Sequence, residues 1–123
     1  MSSSVFRWHD AQTVKAALCR WATQVARARP EVLRIGYFGS YARGDWGVGS
    51  DLDVVIIVTQ ADKPFHMRAG DWDTRDLPVP ADILVYTREE WDRLQERPFP
   101  PRFVQEIVWL DHEGESMAGN EAE

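Results

Sequence analysis

Gly39-Ser40-Tyr41-Ala42-Arg43-Gly44-Asp45-Trp46-Gly47-Val48-Gly49-Ser50-Asp51-Leu52-Asp53 is the stretch on which the fold turns. It lies between two apolar runs, Val32 to Phe38 and Leu52 to Val58, rich in the β-branched and aromatic residues that favour strands. A third such run, Ala81 to Tyr86, follows later. Unbroken apolar runs of this length point to strands covered on both faces. Between the first two, Ser40 to Arg43 has room for one short helical turn, so the local order is strand, short helix, strand.

Working outward, Val14, Leu18, Trp21 and Val25 recur at helical spacing, with Asp10 as N-cap and Pro30 closing the segment. Thr87-Arg88-Glu89-Glu90 has the capping-box pattern and predicts a helix straight after the third strand, with Trp91 and Leu94 on its inner face. Phe103 to Leu110 fits either a short helix or a last strand. Thr59 to Pro80 mixes Pro, Gly, Asp and Trp without a period and reads as a long, partly irregular connection whose length hints at function or mobility. The residues from Glu113 onward are acidic and poor in large apolar groups, so residues 1–112 are expected to form the domain and 113–123 a disordered tail. This order defines an α/β (α+β) domain, a small mixed sheet with helices packed on it.

At 123 residues, 44% of them hydrophobic, the chain sustains one core and no second domain is expected. Twenty acidic against 14 basic side chains give a net charge of −6, which argues against an extended nucleic-acid surface and against a polybasic membrane surface. No stretch approaches a membrane span and no apolar signal region opens the chain, so the expected compartment is the cytoplasm. The one cysteine, Cys19, excludes an internal disulfide and a thiolate zinc site, and is expected to be a small buried residue. His9, His66 and His112 lie in separate elements and do not suggest a shared metal.

The chemistry concentrates in the opening stretch. If Ser40 starts a helix, backbone N–H groups and its hydroxyl converge where an anion would sit, and Gly39 lets a phosphate approach the backbone. The same junction also serves as an ordinary turn. Asp51 and Asp53 flank Leu52, so strand alternation sends both carboxylates to one side and Leu52, Val54 and Ile56 to the other. Paired like charges there call for a cation, and Mg²⁺ takes such ligands together with substrate phosphates. An N-capping Asp51 and an exposed Asp53 would be the plainer account. Asp82 opens the third strand, grouped with Leu84 and Tyr86. Beside the second strand it could face the same cation and take a proton from an attacking hydroxyl.

Gly39-Ser40, ten intervening residues and Asp51-Leu52-Asp53, with Asp82 on a later strand, resemble the nucleotidyltransferases of the DNA polymerase beta superfamily. Ala42-Arg43-Gly44 and Ser50 are similar to its small members, the minimal nucleotidyltransferases. The resemblance spans about residues 10 to 110 and implies the polymerase beta-like nucleotidyltransferase fold. It further implies two Mg²⁺ ions held by Asp51, Asp53 and Asp82, with ATP or another nucleoside triphosphate held by Gly39, Ser40 and, at the end of the helical turn, Arg43. It implies transfer of AMP to a hydroxyl with loss of pyrophosphate, the acceptor being a tyrosine of a helical HEPN-family toxin to which this chain would be the antitoxin.

Two other readings stand beside that one: an antitoxin acting by occlusion, and a small-molecule nucleotidyltransferase of the aminoglycoside type completed by a second subunit, with homo-oligomers open. Asp71, Asp73 and Asp76 lie near Asp82 in sequence but lack a strand pattern. Asp45 and Trp46 look like loop residues shaping the site, Tyr41 like a packing residue. Trp72, a large aromatic in a polar connection, is the candidate partner contact.

Overall fold

The computed structural model describes residues 10–110; the proposed tail at 113–123, His9 and His112 lie outside them. Helix α1, Ala11–Ala28, starts at Asp10, whose Oδ1 accepts from the Thr13 N–H at 2.7 Å. It is followed by strand β1, Val32–Phe38, the helical turn α2, Ser40–Arg43, and strand β2, Leu52–Val58. A 3₁₀ segment, Phe65–Asp71, precedes strand β3, Ala81–Thr87, and helix α3, Arg88–Glu96. Thr87 ends β3 and caps α3: its Oγ1 accepts from the Glu90 N–H, and Glu90 Oε1 accepts from the Thr87 N–H. The ambiguous segment divides, Phe103–Glu106 forming helical turn α4 and Val108–Leu110 strand β4.

The four strands lie in the order β3-β2-β1-β4, with β2 parallel to β3 and β1 antiparallel to both β2 and β4. One face of the sheet carries Ile35, Tyr37, Val54, Ile56, Ile83 and Val85, which meet Val14, Leu18 and Trp21 of α1. The other carries Val55 and Ile57 under Trp91 and Leu94 of α3, with Phe103 and Trp109 packed beside them. Strand β2 is therefore covered on both sides, as its unbroken apolar run requires. Gly36 in β1 makes room for β4: a Cβ there would stand 2.8 Å from the Trp109 ring and 2.7 Å from Ile107.

Two expectations are corrected. Cys19 is exposed, because it follows Leu18 by about 100° around α1 and the buried stripe runs through Val14, Leu18 and Trp21. Trp72 is no partner contact on this chain's surface: it is 8% exposed and joins the core with Leu77 and Val79. The connection 59–80 is a packed crossover. A parallel strand pair needs one, and here it fills the edge of the α1-side core. Trp21 Nε1 donates to the Asp73 carbonyl at 2.8 Å, and the Arg29 guanidinium lies 3.7 Å from the Trp72 ring centre.

Candidate active site

Sheet register brings the distant parts of the site together. Phe38, the last residue of β1, pairs with Asp53, and Asp53 pairs with Asp82 across the parallel β2–β3 ladder. The chain then turns at Gly39, with φ 77° and ψ −153°, a region open essentially to glycine alone. A Cβ at position 39 would collide with the Asp53 Oδ2. The glycine of the turn and the carboxylate on the next strand are thus packed against each other, fourteen positions apart in sequence.

Beyond Gly39, α2 closes with Gly44 in the left-handed region, its N–H donating to the Ser40 carbonyl. Tyr41 is fully buried, as its expected packing role requires, and its ring stacks at 5.8 Å on Trp46, which packs against the core beside it and does not line the cavity. In the loop to β2, Gly47 N–H donates to Ser50 Oγ and Ser50 N–H to the Gly47 carbonyl. The Leu52 N–H donates to the Pro80 carbonyl at 2.8 Å, tying the start of β2 to the start of β3.

These elements surround an open cavity of about 500 Å³ lined by the six residues expected to hold metal and nucleotide, Gly39, Ser40, Arg43, Asp51, Asp53 and Asp82, while Asp45 and Trp46 stay out of its wall. Burial, then the charges of Asp82 and Asp51, push the Asp53 carboxyl above its ordinary pKa; Arg43 opposes this and Glu106 adds to it. Asp71, Asp73 and Asp76 do not take part. Asp71 pairs with Lys63 at 2.8 Å, and Asp73 is clamped by Arg75, which holds its pKa down at about 2.

Phe38, Arg102, Phe103 and Glu106 complete the lining, and none was legible as a site residue. Glu106 Oε1 accepts from Arg43 Nη1 at 3.2 Å, while Asp45 Oδ2 accepts from Arg43 Nε at 3.1 Å. The Asp45 bond, together with the charge of Glu106, holds the Arg43 pKa above its usual value. A partner 63 positions away leaves no local signal. A neighbouring cavity of about 490 Å³ shares Phe38, Asp53 and Asp82 with the first and runs on to Ala69, Trp72 and Thr74; no cationic side chain lines it.

Four carboxylates and two guanidinium groups line the first cavity, a net negative wall that repels a polyphosphate unless cations come with it. All four acids are hard oxygen donors. No three His, Cys, Asp or Glu side chains among the described residues close into a ready-made metal cage. A Mg²⁺ site that relies on one or two carboxylates and on substrate phosphates has this incomplete character, so the donor set fits that ion.

A small mixed sheet thus sets clustered carboxylates beside a glycine turn, with two arginines on the same wall. Comparison with known proteins makes this specific: residues 18–109 match the model of the nucleotidyltransferase domain family, and the chain belongs to that family. It is similar in fold to a crystal structure of a Sulfolobus solfataricus protein described as a nucleotidyltransferase, with a TM-score of 0.54 and 21% identity over 84% of this chain and 87% of the other. No curated protein matches the chain.

Proposed function

We propose that this chain is a Mg²⁺-dependent nucleotidyltransferase that moves AMP from ATP to a hydroxyl acceptor, a tyrosine of a helical HEPN-type toxin, and so acts as that toxin's antitoxin in the cytoplasm. The observation that carries the catalytic part is the packing of Asp53 against Gly39 in a cavity shared with Asp51 and Asp82. Family membership supports nucleotidyl transfer in general. ATP as donor and tyrosine as acceptor both rest on the likeness to the minimal nucleotidyltransferases.

Asp51, Asp53 and Asp82 would hold the Mg²⁺ ions. Bound there, they would offset triphosphate charge and lower the pKa of the attacking hydroxyl. Gly39 and Ser40 receive the β- and γ-phosphates, where no Cβ stands between ligand and backbone. Arg43 offers them its Nη2 edge, its Nε and Nη1 being engaged by Asp45 and Glu106. The acceptor enters from the cation-free cavity, where Asp82 takes its proton. The acceptor oxygen bonds to the α-phosphorus, the bond from that phosphorus to the bridging oxygen breaks, and pyrophosphate leaves on the Gly39–Ser40 side.

Incubating the purified chain with labelled ATP, GTP, CTP or UTP and Mg²⁺, with and without the product of the adjacent gene, tests this. Label on the partner's tyrosine from ATP is the expected result, absent with Asp51→Asn and Asp53→Asn. Transfer that survives both substitutions overturns the catalytic assignment. Silencing of the partner without transfer replaces it with occlusion.

A further inference from the structure

We propose that Arg102, a residue without a role in the sequence pattern, contacts the polyphosphate of the bound nucleotide. The inference rests on the nucleotide reading of the cavity and adds to it a cationic side chain not already paired within the protein. Arg43 cannot be that cation alone. Its guanidinium is bonded to two carboxylates, Asp45 at 3.1 Å and Glu106 at 3.2 Å, so its charge is already more than matched by the protein. It braces α2 against α4.

Arg102 lines the same cavity and makes no ion pair or side-chain hydrogen bond among the described residues. Its root is fixed. Pro100 and Pro101 precede it, its own backbone is helical at φ −56° and ψ −37°, and Phe103 beside it packs on Phe38 with ring centres 4.7 Å apart. Phe38 is in turn the register partner of Asp53. A long side chain on a fixed root, ending in a planar five-donor fork, suits the paired oxygens of a phosphate chain. Arg102 is exposed, so its guanidinium is free to turn toward a ligand in a cavity whose own charges are mostly carboxylates.

Isothermal titration of the full chain with ATP, Mg²⁺ present, and separately with inorganic tripolyphosphate and with AMP, tests the assignment on wild type, Arg102→Ala, Arg102→Lys and Arg43→Ala. Arg102→Ala should weaken ATP and tripolyphosphate by about tenfold or more, the usual worth of a charge-assisted hydrogen bond. AMP should be little affected, the melting temperature unchanged, and Arg102→Lys should recover part of the loss. Arg43→Ala, in contrast, should lower the melting temperature. ATP binding equal to wild type in Arg102→Ala overturns the role of Arg102 and leaves the nucleotide reading intact. Tripolyphosphate binding that depends on Arg102, with ATP not bound by wild type, keeps Arg102 and removes the nucleotide. Wild type binding neither overturns both.

Discussion

The two long connections that leave and re-enter β2 are built on opposite principles. Residues 39–51 are rich in glycine and mostly exposed, apart from Gly39 and the Tyr41 ring, and gather charged groups around an open cavity. Residues 59–80 looked less ordered on paper, yet they bury Arg68, Trp72, Leu77 and Val79 and complete the core. In the first, polar atoms face outward, where they gain function and contribute little packing. In the second, apolar anchors spaced through polar sequence draw the chain down onto the sheet. One connection should therefore fail by losing activity and the other by losing stability.

The largest expected contrast is between Asp53→Asn and Trp72→Ala. Asp53→Asn should cut nucleotidyl transfer by more than about 100-fold, since even groups one shell further out in metal sites cost 10- to 100-fold. Its melting temperature in metal-free buffer at pH 7 should rise slightly. Burial and neighbouring carboxylates raise the pKa of Asp53 in the fold, so its ionisation opposes folding, and the amide removes that opposition. Trp72→Ala should cost about 3–5 kcal/mol in urea denaturation, through the lost burial and the cavity left behind. A Trp72 variant as stable as wild type would collapse the contrast.

Gly39→Ala sharpens the comparison because it sits where both kinds of failure meet. The backbone conformation alone should cost about 1–3 kcal/mol, and the new methyl displaces the Asp53 carboxylate. Activity should fall further than the stability loss accounts for, measured as turnover at a temperature where the variant remains folded. A smaller effect is expected at Glu90. Hydrogen bonds from Arg68, with those from Thr87, hold its pKa down at about 2 against an ordinary 4.5. The stability it contributes is full above pH 4.5 and is lost as pH falls toward 2. Glu90→Gln should flatten that acid limb in melts taken across the window, with little change in the pH dependence above it.

Much of this was legible before the structure. The first two strands fall where their apolar runs end, and the capping signals of Asp10 and Thr87 identify the helix starts because those bonds are local. The site's aspartates could be grouped because strand alternation is a short-range rule, and β2–β3 register then places Asp82 beside Asp53. Glu106 and Arg102 escaped because Phe103 to Leu110 is too short for periodicity to decide, and what fixes it is Phe103 meeting Phe38 and Tyr86 across the sheet. Trp72 misled for a related reason: Arg29 over its ring and Trp21, bonded to the next residue's carbonyl, lie at the end of α1 and on it, and no pattern inside 59–80 points to them.

Arg68 has a consequence for how these molecules meet one another. Its Nη1 donates at 3.0 Å to the carbonyl of Val85 on β3, one of the two outermost strands of the sheet, and at 2.7 Å to Glu90 Oε1 on α3. Outermost strands offer unsatisfied backbone groups on which a foreign strand can template itself. Here the side chain occupies one of those acceptors and lays a charged pair along the rim, so the crossover acts as a guard against strand-to-strand aggregation as well as a filler of the core. An Arg68→Ala chain should accordingly show its defect first as concentration-dependent self-association, with thioflavin-positive material forming under conditions where the wild-type chain stays dispersed.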